Sequence, residues 1–269
     1  MINSTIRADL KGKVALVTGA SQGLGAFYAE LFAQNGAKVI VQGRPKSAEQ
    51  VHQVVAKLQQ KGYQAKALIF DMTAFDEFDA KATEAWGAFG HVDILVNNAA
   101  VSIDKDIFSI LPKDWDLHMD TNLKGLFFWS QAIASRMKAH SRAGSIVNIA
   151  ALNGEKVRKN CISFGVSKAG VVHLTKSMAY ELLPYHIRVN ALSLGLFKSD
   201  VVEKFLKNDP GAQDYLERIP AKRPGEFEEL AGPMLLLVSD ASAYMSGSVI
   251  RVDGGFASDI FMSLDIKNV

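Results

Sequence analysis

The sequence predicts an α/β protein, a doubly wound parallel seven-stranded sheet with helices on both faces. Three observations predict it. Short apolar runs rich in Val and Ile alternate with longer stretches of helical spacing. The short runs end at Gly, Asn or Asp, as buried parallel strands do. A glycine-rich turn follows the first run and opens the first helix. The 269 residues suit one such domain, 1–269, with no Pro/Ser-rich linker and no repeat of solenoid period to divide it.

Val14 to Val17 is the first strand and ends at Thr18-Gly19; Leu24 to Gln34 is the first helix and stops before Gly36. Lys38 to Gln42 carries Val39, Ile40 and Val41. Ser47 to Gln60 places Val51, Val54, Val55 and Leu58 on one face, and Gly62 stops it. Ala65 to Phe70 runs into Asp71, Phe75 to Phe89 is helical, and Val92 to Val96 runs into Asn97-Asn98. Lys113 to Met137 reads as one long helix. Ser145 to Ile149 ends near Ala150, Phe164 to Leu183 is helical, and Ile187 to Leu194 ends at Gly195. Glu226 to Val238 is the last helix, and Val249 to Val252 closes at Asp253-Gly254-Gly255. Residues 197–225 break the alternation and predict a lid over a ligand. Residues 257–269 form a partly apolar extension, read either as a flap over the lid or as a disordered end.

Composition narrows the function classes. Hydrophobic residues at 48% and charged residues at 22% exclude a disordered chain. Thirty Lys and Arg against 28 Asp and Glu leave no basic excess for nucleic acid or an anionic membrane. The single cysteine, Cys161, excludes an internal disulfide framework and suits a reducing compartment. The N-terminal residues carry no apolar core of a signal peptide, so a cytoplasmic protein is expected. The histidines, His52, His91, His118, His140, His173 and His186, lack metal-ligand spacing and are read as structural or surface residues, with no metal site.

The turn Thr18-Gly19-Ala20-Ser21-Gln22-Gly23-Leu24-Gly25 points to a dinucleotide. Glycines let the backbone approach a pyrophosphate, and a helix N-terminus presents free N–H groups and positive potential. The end of the second strand selects the cofactor. A carboxylate there would accept bonds from an adenosine ribose, but this strand ends Gln42-Gly43-Arg44. Gly43 leaves room and Arg44 offers a planar cationic fork to a 2′-phosphate, so NADP(H) is expected over NAD(H).

With these motifs in place, the chain resembles a short-chain dehydrogenase/reductase of the small single-domain type, with a Rossmann-type sheet. The turn from Thr18 to Gly25, Asp71-Met72, Asn97-Asn98-Ala99-Ala100, Asn122-Leu123-Lys124-Gly125, Ser167-Lys168-Ala169-Gly170 and Asp253-Gly254-Gly255 carry the resemblance, from about Leu10 to Phe256. It implies a nicotinamide cofactor held by Gly19, Ser21, Gln22, Gly23, Leu24 and Gly25, with Asp71 and Met72 at the adenine. It further implies contacts from Asn98, Ala99 and Ala100, and from Gly195, Phe197 and Ser199 near the carboxamide and phosphates. A homotetramer or homodimer built on the long helices is also implied. Two places drift from the family pattern: Ala100 replaces a Gly, and Leu194-Gly195 stands for Pro-Gly.

The family's reaction needs a Tyr to move a proton, a Lys four residues later that lowers the Tyr pKa and holds the ribose, a Ser on the preceding strand end, and an Asn in the relay. Lys168 and Asn122 match. The Tyr position holds Phe164 and the Ser position holds Ala151, each the parent side chain without its oxygen. A positioned acid or base contributes about 10²–10⁴-fold, so ordinary reduction or oxidation of a small carbonyl or alcohol substrate is expected to be strongly impaired while cofactor binding survives. Three readings stay open: an inactivated reductase, an enzyme whose proton travels through Cys161, Ser163 or Asn153, and a non-catalytic cofactor-binding subunit.

Between the two vacated positions runs Leu152-Asn153-Gly154-Glu155-Lys156-Val157-Arg158-Lys159-Asn160. Its cations suggest an anionic or hydroxylated substrate, against the plainer reading of a solvated loop. Asp104 and Asp106 read as a solvated pair, and Trp115, Phe127, Phe128 and Trp129 as core or interface.

Overall fold

The computed structural model describes residues 8–208 and 211–258. Strand β1 (Val14–Val17) leads through helix α1 (Gly23–Gln34) to β2 (Lys38–Gly43), α2 (Ala48–Gln60) and β3 (Ala65–Ile69). Helix α3 (Phe78–Phe89) and β4 (Ile94–Asn97) follow, then α4 (Pro112–Met119) and α5 (Leu126–Ala139). Next come β5 (Gly144–Ala151), α6 (Ile162–Leu182), β6 (Ile187–Leu194), α7 (Asp200–Asn208), α8 (Ala212–Glu217), α9 (Ala231–Val238) and β7 (Val249–Val252). The expected extension 257–269 lies outside the described residues beyond Ser258.

The seven strands form one parallel sheet in the order β3-β2-β1-β4-β5-β6-β7. This is the doubly wound architecture the sequence predicts. Alternating side chains serve opposite cores. Ala15, Val17, Val39 and Val41 face α1, α2 and α9, where Phe27, Leu31, Val51, Met234 and Leu235 are buried. Val14, Leu16 and Ile40 face α3, α5 and α6, where Phe78, Trp129, Ile133 and Met178 are buried. Trp129 packs tilted against Phe70 and edge-on to Phe78, with centroids at 4.5 and 5.5 Å. It belongs to the core, whereas Trp115 and Phe128 remain exposed.

Two expected helices differ in detail. The stretch Lys113 to Met137 is not uniform: α4 passes through a π-helical turn, Asp120–Gly125, before α5 begins. There the Asn122 side chain bonds the Val101 backbone, and Gly125 lies so close to the Met72 carbonyl that no Cβ fits. The last expected helix starts as a 3₁₀ turn, Phe227–Leu230, before α9.

The chain winds outward from β1 to β3, then crosses back to place β4 on the other side of β1. Ligands of such sheets bind at that reversal, beyond the carboxyl ends of the strands. Thr18-Gly19, Gly43, Asn98, Ala151 and Gly195 all end strands on that side.

Candidate functional site

The glycine turn is held from two directions. Thr18 Oγ1 accepts the N–H groups of Asn98 and Ala99, each at 3.0 Å. Asn98 Nδ2 returns bonds to the carbonyls of Thr18 (3.0 Å) and Gly19 (3.1 Å). On the β2 side, Gln42 Oε1 accepts the Gly19 N–H at 3.0 Å, and its Nε2 donates to the Phe70 carbonyl at 2.8 Å. Gly19 has φ +62°, and a Cβ there would stand 2.7 Å from Ala99 Cα. A Cβ on Gly25 would stand 2.7 Å from Ala20 Cα, so α1 packs backbone to backbone against the turn.

The N-terminus of α1 faces out of this turn. Gln22 makes no side-chain cap, and the first turn contains no acidic residue. Gln22 and Gly23 are exposed, and Ser21 and Leu24 half-buried. Uncapped N–H groups at a helix start suit an anion. Arg44 is exposed beside them, and among the described residues its guanidinium has no partner; only its carbonyl is used, by Ser47. A Cβ on Gly43 would stand 2.5 Å from Val51. Asp71 binds Thr73 through Oδ1 at 3.0 and 2.8 Å, and Met72 is buried beside it.

At the other end of the crevice, Asn122 is fully buried. Its Oδ1 accepts the Val101 N–H (2.8 Å), and Nδ2 donates to the Val101 carbonyl (2.9 Å) and Ser167 Oγ (3.1 Å). Lys168 is buried one helical turn from Phe164, with Nζ donating to the Ile149 carbonyl at 2.7 Å. Burial without a counter-ion pushes its ammonium down to about 8. The Phe164 ring lies 5.7 Å from Nζ by its centroid and edge-on to the His118 ring at 6.3 Å. Ala151 ends β5 in register with Leu194 of β6. Asn122 thus bonds α6 at Ser167, Lys168 lies below the Phe164 ring, and Ala151 stands two residues past the carbonyl that Lys168 bonds. Ala100 is exposed beyond them.

The remaining expected residues gather where β6 runs into segment 197–225. Gly195 donates to the Val252 carbonyl, and a Cβ on it would stand 2.7 Å from Asp253 Cα. Phe197 bridges to Gly225 and packs its ring there, beside a cavity of about 100 Å³ lined also by Ala221, Arg223 and Asp253. Ser199 Oγ accepts the Val202 N–H at the start of α7. Arg223 forks onto Glu229 at 2.8 and 2.6 Å, which holds the Glu229 carboxyl down at about 2.

Spacing alone does not show several contacts. Gln42 ties β1 to β3 and reads in the sequence only as the end of a strand. His118, expected to be structural, is buried in the site wall: Nε2 accepts the Ile103 N–H at 3.1 Å, and Nδ1 lies 2.8 Å from the Asp114 carbonyl and 3.1 Å from Ser163 Oγ. That geometry puts the proton on Nδ1, so Ser163 faces an N–H and is not activated as a base would activate it. Arg158 is bound: it forks onto Asp104 at 2.6 and 2.6 Å and donates to Cys161 Sγ at 3.0 Å. Asp104 is therefore an ion-pair partner rather than a solvated charge. Burial raises the Cys161 thiol above its ordinary range, with Arg158 pulling the other way.

Among the described residues no His, Cys, Asp and Glu cluster is arranged for a metal, and no helix is long and apolar enough to cross a membrane. Residues 19–257 match a family model described as enoyl-(acyl carrier protein) reductase. The chain is 36% identical to a 2-dehydro-3-deoxy-D-gluconate 5-dehydrogenase of Escherichia coli, over 92% of this chain and 96% of that one. It is 35% identical to a 3-oxoacyl-(acyl-carrier-protein) reductase of Thermotoga maritima, over 91% and 98%. Among solved structures it resembles a gluconate 5-dehydrogenase from Burkholderia cenocepacia in complex with NADP and tartrate, with TM-score 0.88, 32% identity and coverage of 93% and 97%.

Proposed function

The chain belongs to the short-chain dehydrogenase/reductase family, and from that membership we propose that it binds NADP(H) and exchanges a hydride with a small carbonyl or alcohol substrate, at a rate cut by the missing Tyr and Ser hydroxyls. One observation carries the cofactor half: an uncapped helix start at the β1/β4 reversal, with Arg44 beside it, its guanidinium unpartnered among the described residues. Gly19, Ser21, Gln22, Gly23, Leu24 and Gly25 would hold the pyrophosphate, Arg44 a 2′-phosphate, Asp71 and Met72 the adenine. Asn98, Ala99, Ala100, Gly195, Phe197 and Ser199 would line the remainder. When bound, the cofactor supplies or accepts the hydride. Two similar solved structures contain NADP, which supports the same choice.

The rate half rests on Phe164 and Ala151. Neither holds a proton at any pH, so an oxygen reacting between them lacks the donors the family uses. Asn122 and Lys168, by contrast, carry side chains that bond and donate. A second reading, a cofactor-binding subunit without turnover, rests on the same absence. The named relatives act on sugar acids or carrier-bound acyl groups. Arg158 is already neutralised by Asp104, which favours a hydroxylated substrate over one needing a free guanidinium. Exposed Trp115, Phe128, Val166 and Tyr180 on α4, α5 and α6 suit a homodimer or homotetramer. A cytoplasmic setting suits the lone buried thiol.

Fluorescence titration with NADPH, followed by NADPH oxidation across a carbonyl panel, tests the reading. Binding with turnover about 10²–10⁴-fold below a Ser- and Tyr-containing relative supports it. No binding of either dinucleotide overturns it. Binding with no turnover at all leaves the subunit reading standing instead.

A further inference from the structure

Lys168 is 3% exposed, yet among the described residues its ammonium donates only to the Ile149 carbonyl, leaving two of its three N–H bonds uncommitted. The elements packed against α6 bring charged or titratable groups near it, but these are engaged elsewhere or face away. On α4, His118 is bonded to Ile103 and Asp114. On the π turn, Asp120 pairs with Lys124; past residue 154, Glu155 pairs with Arg251. On β6, Arg188 binds Ser242 and nearby carbonyls. Cys161 at the start of α6 meets Arg158, and His173, Lys176 and Glu181 farther along the helix make no bond to Lys168. Among the described residues the amine thus sits without a counter-ion below the Phe164 ring and on the carbonyl of Ile149, two residues before Ala151, so it lies near both places where a hydroxyl is missing.

Resting on the oxidoreductase reading, we propose that Lys168 is itself the acid–base group of this chain, its ammonium protonating the substrate oxygen in reduction and its free amine taking that proton back in oxidation, through one water lodged where the Phe164 ring ends. In reduction the carbonyl carbon gains a hydride, with its two electrons, from reduced nicotinamide dinucleotide. The C=O π pair moves to oxygen, and that oxygen takes a proton from the water. The water is restored by a proton from Nζ as one N–H bond breaks. The substrate is reduced, the dinucleotide oxidised, and neutral Lys168 is reprotonated from solvent. The uncompensated cation also favours the negative charge growing on that oxygen. Burial places its titration near working pH, where an acid–base group transfers protons best.

The test has two arms. NMR titration of lysine-labelled, cofactor-free protein should show one side chain titrating near 8, absent in Lys168→Arg; a Lys168 midpoint above about 10, the ordinary lysine range, overturns the proposal. Single-turnover NADPH oxidation by wild type, across the carbonyl panel, should fall about tenfold per pH unit above that same midpoint. Lys168→Arg keeps a cation that does not release its proton, and should bind NADPH while losing this pH dependence. A pH-independent rate, a wild-type pH profile in Lys168→Arg, or bound NADPH that is never oxidised overturns the proposal. Failure of wild type to bind NADPH is read separately by fluorescence and overturns both this proposal and the oxidoreductase reading beneath it.

Discussion

Gln42 and Gly19 are joined by a bond from the Gly19 N–H to the Gln42 side-chain oxygen, 3.0 Å long and buried at the glutamine. Through its other end Gln42 also reaches the Phe70 carbonyl, so one side chain fixes the glycine turn to the end of β3. Gln42→Leu removes both partners from groups shielded by the fold. We expect a loss of about 1–3 kcal/mol in urea unfolding and weaker NADPH binding. Unchanged dinucleotide affinity would show that Asn98 alone holds the turn.

Arg44 lies outside the core and its guanidinium has no partner to lose among the described residues. Arg44→Ala should leave the melting temperature unchanged and reduce NADPH affinity about 10- to 100-fold, the worth of charge-assisted bonds to a phosphate. NADH affinity should stay level. Calorimetric titration of both dinucleotides reads the difference, and equal losses for both would remove Arg44 as the selector.

Restoring both hydroxyls with Ala151→Ser and Phe164→Tyr should raise carbonyl reduction by about 10²–10⁴-fold. The ring at 164 is already seated between Lys168 and His118, so the added oxygen needs no new backbone. Steady-state NADPH oxidation by the single and double variants checks this; absence of any gain favours diverged chemistry.

Lys168 titrates at about 8 in the fold, against roughly 10.4 for an unperturbed lysine. Between those values the unfolded chain binds more protons, so wild-type stability rises with pH across that window. Below it the fold carries the whole cost, about 3 kcal/mol. Lys168→Met should therefore be more stable than wild type at pH 7, with the advantage gone above about pH 10.5. Urea midpoints at the two pH values decide it; equal differences at both would show that burial does not strain this charge.

Arg158→Ala frees Asp104 and uncovers Cys161, the chain's one thiol. Two effects oppose: access rises, while the thiol loses the cation that favours its thiolate. We expect the gain in access to dominate and labelling by a disulfide reagent to speed up severalfold. Unchanged labelling would mean that the Lys105 N–H to Asn160 carbonyl bond, 2.8 Å, holds the loop by itself.

The strands were legible because a parallel sheet buried on both faces demands apolar runs, as Val14–Val17 shows without a break, while Ile187–Leu194 admits Arg188, Asn190 and Ser193 among its apolar residues. Gly19, Gly25, Asn122 and Lys168 stood out because each lies in a short run of fixed spacing that resembles the family's. Gln42, His118 and the Arg158–Asp104 pair were not: their partners lie on other elements, and no periodicity connects Gln42 to Gly19 or Ser163 to His118. The π turn was hidden because the apolar pattern resumes on either side of it.

That turn sets a phase. One extra residue in a helical turn rotates the helix before it by about 100° against the helix after it. Here it lets α4 show His118 to the site wall while α5 shows Trp129 to the core, from one continuous run of helix. The two faces are thus geared to each other through Asp120–Gly125. Deleting a single residue there would swing Asn122 away from Val101, or Trp129 away from Phe70, without changing the chemistry of any side chain that remains.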